Sequence, residues 1–112
     1  MMKILTIAFL LVCTLSSQAQ LKLANVFGDN MVVQRDQALK IWGQASPKES
    51  VTVDFNGQTV SSKADKSGKW KVELKPMTHG GPFAMTVSGN KEKLQLKNIL
   101  IGDVWIGSGQ SN

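Results

Sequence analysis

The chain has 112 residues, a formal charge of +5 and a composition that is 42% hydrophobic, 19% charged and 6% aromatic. That length suits one domain and excludes two independent cores, a large α/β barrel and any complete enzyme built on a long sheet. Apolar residues are spread along the chain, which excludes low complexity and wholesale disorder.

Residues 1–19 read as a secretory signal peptide. Met1-Met2-Lys3 is a short positive start, Ile4 to Leu15 is almost wholly apolar, and the small residues Ser17 and Ala19 set a cleavage site after Ala19. The apolar run is shorter than the ~20 residues of a spanning helix, so a retained anchor is the weaker alternative. Leu10-Leu11-Val12-Cys13 has the outline of a lipidation signal, but Val12 is bulkier than such processing favours. Cys13 is the sole cysteine, so cleavage leaves a mature chain with no disulfide, no thiolate metal site and no cysteine nucleophile.

Past residue 19, period-2 alternation dominates and no segment has a convincing helical pattern. Leu21 to Phe27 reads as a strand and Gly28-Asp29-Asn30 as a turn; Met31-Val32-Val33 begins a short strand that Arg35-Asp36 ends. Ala38 to Trp42 follows, closed by Gly43 and the Ser46-Pro47 loop. Val51, Val53 and Phe55 share one strand face, and Asn56-Gly57 is a strong hairpin signal leading into Gln58 to Ala64. Lys66-Ser67-Gly68 turns the chain into Lys69 to Lys75, where Trp70, Val72 and Leu74 alternate with charges. Pro76 to Pro82 is a loop, Phe83, Met85 and Val87 mark a further strand, and Gly89-Asn90 turns into Lys91 to Lys97. Short strands at turn spacings of about ten residues indicate an all-β fold, an antiparallel β-sandwich of immunoglobulin or jelly-roll type over residues 20–98.

The lysines of the Lys69 and Lys91 strands occupy one face of each strand, as a solvated, aggregation-resistant sheet surface does. No aromatic residue of these strands shares the lysine face to stack bases, so neither nucleic acid nor, after signal cleavage, a membrane is an expected partner.

Near the end the pattern changes. Asn98-Ile99-Leu100-Ile101 and Val104-Trp105-Ile106 form a nearly continuous apolar run, as in a strand buried on both faces, and it stops at Gly107-Ser108-Gly109-Gln110-Ser111-Asn112. A buried strand that ends in a glycine-rich turn is how α/β hydrolases lift a serine hydroxyl out of the sheet. On spacing alone the pattern is also that of an ordinary Gly/Ser turn, because the glycine two places after the serine is absent.

The blocks Gly28-Asp29-Asn30-Met31-Val32-Val33-Gln34-Arg35-Asp36, Ile41-Trp42-Gly43, Ala64-Asp65-Lys66-Ser67-Gly68-Lys69-Trp70, Gly80-Gly81-Pro82-Phe83 and Gly102-Asp103-Val104-Trp105 through Gly109-Gln110-Ser111-Asn112 resemble, in order, the amino-terminal part of the sialate O-acetylesterase family. The resemblance implies a secreted serine esterase of the SGNH-hydrolase type that removes O-acetyl groups from sialic acids or similar acetylated sugars. It implies a β-sandwich followed by a flavodoxin-like α/β domain whose first strand and nucleophile turn are residues 99–112. The family nucleophile falls on Ser111, whose backbone N–H is a candidate oxyanion donor, and no metal or organic cofactor is required.

The family's histidine and aspartate lie well after the serine, so the chain is expected to be inactive alone. His79 reads as a loop residue, and Asp103 lies about 25 Å from Ser111 along extended chain, so neither is assigned to catalysis. The alternative function is a non-catalytic carbohydrate-binding or adhesive module with Trp42, Trp70 and Trp105 as candidate sugar platforms. Trp70 and Trp105 have the patterning of core residues, whereas Trp42 is the one whose exposure would favour binding.

Overall fold

The computed structural model describes residues 20–105. Eight strands follow one another: β1 (Lys22–Leu23), β2 (Val32–Gln34), β3 (Leu39–Gln44), β4 (Ser50–Phe55), β5 (Gln58–Lys63), β6 (Lys69–Leu74), β7 (Gly80–Ser88) and β8 (Lys93–Gly102). There is no helix among the described residues, as the alternation predicts. A three-stranded sheet has the order β1-β3-β6 and a five-stranded sheet the order β2-β8-β7-β4-β5. Every pairing is antiparallel except that of β2 with β8, which is parallel.

The two sheets enclose one core. Ile41, Trp70, Val72 and Leu74 come from the smaller sheet, while Val33, Val51, Val53, Phe55, Met85, Val87, Ile99 and Ile101 come from the larger one. Alternation puts them there: β6 buries Trp70, Val72 and Leu74 and exposes Lys69, Lys71 and Glu73. Phe55 meets Phe83 edge to face at 5.9 Å, the arrangement favoured by ring quadrupoles. The β4–β5 hairpin turns on Asn56 (φ 46°) and Gly57 (φ 82°), both in the left-handed region that such a turn requires. Between the start of β5 in the larger sheet and the end of β6 in the smaller, the Gln58 side chain accepts from the Lys75 N–H at 2.8 Å and donates to the Lys75 carbonyl at 3.0 Å. One amide thus satisfies both polar groups at the end of the neighbouring strand.

Several elements differ from the sequence expectation. The first strand is only Lys22–Leu23 rather than Leu21 to Phe27. β3 runs through Gly43, which is not a terminator: a Cβ there would overlap the Lys22 carbonyl oxygen, so glycine admits the close approach of β1. β7 begins at Gly80, inside the expected Pro76–Pro82 loop.

The largest correction concerns β8. Lys91 to Lys97 and Asn98 to Ile101 are not separate strands, because β8 continues through Asn98 to Gly102. What looks like a break is a change of phase. Pairing steps from Met85↔Leu96 to Phe83↔Ile99, so β8 holds one extra residue there, and Asn98 takes a left-handed φ of 58°. Before this bulge Leu94 and Leu96 face inward; after it Ile99 and Ile101 do. Between Phe83 and Gly80 the extra residue lies on β7 instead, at Gly81 with φ 114°, and restores the match. The end of β8 is therefore buried on one face, not two: Ile99 and Ile101 are in the core while Leu100 is 43% exposed.

Ile99→Ala is expected to cost about 2–5 kcal/mol in urea unfolding and Leu100→Ala about 0.5 kcal/mol. Equal losses would restore the two-faced reading of this strand.

Candidate functional site

The segment that leads to Ser111 leaves the five-stranded sheet at Gly102, and its course is set by residues 29–36. Val32, Val33 and Gln34 pair in parallel with Leu100, Ile101 and Gly102. The Leu100 N–H donates to the Met31 carbonyl at 3.1 Å and the Arg35 N–H to the Gly102 carbonyl at 2.8 Å. At the lower end, the Asn30 N–H reaches the Lys97 carbonyl at 2.9 Å, the Asp29 carboxylate accepts from the Lys97 N–H at 2.8 Å, and Asn98 Nδ2 donates to Asn30 Oδ1 at 2.7 Å. These last contacts hold the bulge.

At the upper end a side chain takes over from the backbone. Gln34 Oε1 accepts from the Val104 N–H at 2.9 Å, while Gln34 Nε2 donates to the Arg35 carbonyl at 3.2 Å and to Asp103 Oδ1 at 3.3 Å. Arg35 Nε lies 3.6 Å from Asp103 Oδ1 and 3.1 Å from Asp36 Oδ2. These ion pairs are solvent-exposed and weak on their own, but they converge on one bend of the chain. The Asp36 N–H is anchored to the Met77 carbonyl at 2.7 Å. Gln34 and Asp103 therefore belong to one fastening that the sequence analysis did not assign, although both stand in the blocks quoted for the family resemblance.

Ser111 itself, the expected nucleophile, lies outside the described residues, as do the signal peptide with Cys13 and the Gly107–Asn112 turn. His79 is exposed just before β7, in keeping with a loop role. Asp103 is bound to Gln34 and Arg35.

The tryptophans separate clearly. Trp70 is buried, and its Nε1–H donates to the Gln44 carbonyl at 3.0 Å. Trp105, expected in a core, is 87% exposed. Trp42 is 44% exposed on the outer face of the small sheet, with Phe27 edge-on at 4.8 Å and 78°. It lines an open groove with Lys22, Gln44, Asp65, Lys69 and Lys71. Asp65 belongs to the β5–β6 turn: its Oδ1 accepts from the Ser67 N–H at 2.8 Å and the Lys69 N–H at 2.9 Å. The Lys69 N–H above all, with the N–H of Ser67, the Lys69 charge and the N–H of Gly68, holds its carboxyl below the ordinary aspartate value, against a desolvation effect second only to the Lys69 N–H.

The chain is similar to known proteins in fold and in sequence. A carbohydrate acetylesterase from Xanthomonas citri has a similar structure, with a TM-score of 0.75 and 40% identity over 77% of this chain and 20% of that one. The chain is 38% identical over 102 residues to the sialate O-acetylesterase of Homo sapiens, covering 81% of this chain and 20% of that protein. With the sialate O-acetylesterase of Mus musculus it shares 34% identity over 119 residues, covering 95% of this chain and 22% of that protein. No protein-family profile matches. The fold and these likenesses define a segment of the carbohydrate acetylesterase class. Within that class the chain belongs to the sialate O-acetylesterase family, and it spans about a fifth of the length of the curated relatives it matches.

Gln34→Leu is expected to release the Val104 N–H, raising its hydrogen-exchange rate at least about fivefold, with a global cost of about 1 kcal/mol. Protection at Leu100 should persist, because its bond to Met31 is backbone to backbone. Loss at both amides would mean general unfolding instead of a local release.

Asp65 supplies a pH test. Its folded-state pKa lies below the unfolded one, so its contribution is present above the unfolded value and is lost as pH falls through the folded value. Urea unfolding between about pH 5 and pH 2 should therefore show less acid sensitivity in Asp65→Asn than in the parent.

Proposed function

We propose that the chain is the amino-terminal part of an exported serine esterase that removes O-acetyl groups from sialic acids or related acetylated sugars. In this reading the two sheets, whose last strand β8 ends at Gly102, form the sandwich that precedes the catalytic domain. Residues 99–112, whose first four complete β8, lead into an α/β domain of the SGNH type. Ser111 is the nucleophile: its hydroxyl adds to the acetyl carbonyl, the sugar hydroxyl leaves with a proton, and water then releases acetate from the acetyl-serine. The Ser111 N–H is one donor to the oxyanion. The histidine base and its orienting acid belong to sequence after Asn112.

The observation that carries this reading is the fastening of residues 29–36 along β8. Two blocks far apart in sequence, both quoted for the family resemblance, meet where the chain leaves β8. Gln34 and Asp103 are then positioning residues, which act on the serine through the chain that follows Gly102. The second reading, a sugar-binding module, is favoured by the exposed Trp42 groove and is compatible with the first.

The 112-residue chain is expected to release no more acetate from O-acetylated N-acetylneuraminic acid than its Ser111→Ala variant. In the protein extended past Asn112, Ser111→Ala should lower turnover by about 10⁴-fold or more. Turnover unaffected by that substitution would refute the assignment of the nucleophile.

A further inference from the structure

The outer face of the small sheet carries a groove that the esterase reading leaves unused. Its volume is about 720 Å³, within the range of roughly 300–1,000 Å³ typical of small-ligand sites. Trp42 forms its apolar wall, and Phe27 fixes the indole by an edge-to-face contact, so little side-chain freedom remains to be lost on binding. Sheet register places the polar groups. Trp42 pairs with Lys71, Gln44 pairs with Lys69 on one side and with Lys22 on the other, and all five side chains share the outward face.

Charge sets the class of ligand. Lys22, Lys69 and Lys71 line the groove against the single carboxylate of Asp65, which is already committed to the N–H groups of its own turn. Among the described residues no carboxylate lies within ion-pair distance of those three ammonium groups. An aromatic plane flanked by amide and ammonium donors suits a molecule with one apolar ring face, several hydroxyls and a negative charge.

We propose that this groove is a binding site for an acidic sugar: a pyranose stacks on Trp42 while its carboxylate is held by Lys69 and Lys71. The choice of a sugar rests on the proposed function of the whole protein, but the groove lies wholly within the two described sheets and needs neither Ser111 nor any later residue. A failed esterase assay with intact binding, or the converse, therefore separates the two proposals.

The test follows the three tryptophan indole N–H resonances by NMR while the protein is titrated with N-acetylneuraminic acid and, separately, glucuronic acid. Neutral N-acetylmannosamine and sodium acetate serve as the ring without charge and the charge without ring. The Trp42 resonance should move and saturate in the millimolar range with both acidic sugars. Trp42→Ala, followed by the backbone amide resonances of Lys69 and Lys71, should weaken binding about tenfold or more, and Lys69→Gln with Lys71→Gln should remove the preference for acidic over neutral sugar. An unchanged Trp70 resonance in each variant reports an intact core, because that indole is buried on the Gln44 carbonyl. The proposal is overturned if Trp42 does not respond, if the neutral sugar binds equally well, if acetate alone reproduces the shift, or if the response is confined to Trp105.

Discussion

The parallel pairing of β2 with β8 is the interaction on which the rest depends. β2 is only three residues long, yet it closes the edge of the five-stranded sheet and fixes the direction in which the chain leaves it. Each hydrogen bond along this seam is worth about 1 kcal/mol net, so no single bond is decisive. Their alignment is. Asp29 and Asn30 grip the bulge at Lys97–Asn98, Met31 to Arg35 follow the strand, and Gln34 catches Val104 after the ladder has ended. A side-chain amide does what another strand residue would do, in a place where the backbone can no longer reach.

The seam also accounts for the core. The bulge at Asn98 turns β8 over by one residue, which brings Ile99 and Ile101 inward beside Val33 of β2 and leaves Leu100 next to Val32 on the outer face. Without the second irregularity at Gly81, β7 and β8 would finish out of step, and a side chain at Gly81 would meet the Ile99 carbonyl. Shape and pairing are thus adjusted together, and the glycine and the asparagine that permit it lie on the two strands of one pair, in successive steps of its register.

Much of this was legible in the sequence where one face is buried and the turn chemistry is local. β4 and β6 follow from alternation alone, and the Asn56-Gly57 hairpin from its demand for left-handed backbone. The rest depended on contacts distant in sequence. Gly43 reads as a stop until Lys22 is known to press against it, and the phase change at Asn98 reads as a domain junction until the β7 register explains it. Three residues of β2 carry too little pattern to announce a parallel partner nearly seventy positions away. The resemblance pointed to Ser111, but Gln34 and Asp103 emerged only from geometry. Trp105 looked like core because its neighbours are apolar, a local pattern that cannot say whether anything covers it.

If Ser111 is the nucleophile, as we propose, the end of β8 that leads to it has to be held still, since misplacement of a catalytic group by about 1 Å can cost 10²-fold in rate. The fastening of Asp103 and Val104 by Gln34 is suited to that task, and the exposed groove at Trp42 is the second surface that we propose for sugar. The direct measurement is a double-mutant cycle on kcat for acetate release in the protein extended past Asn112, with Gln34→Leu and Asp103→Ala singly and together. If one fastening orients the serine, each change lowers kcat with KM nearly unchanged, and the pair costs no more than the worse single change. Unchanged kcat, or losses that simply multiply, would contradict it.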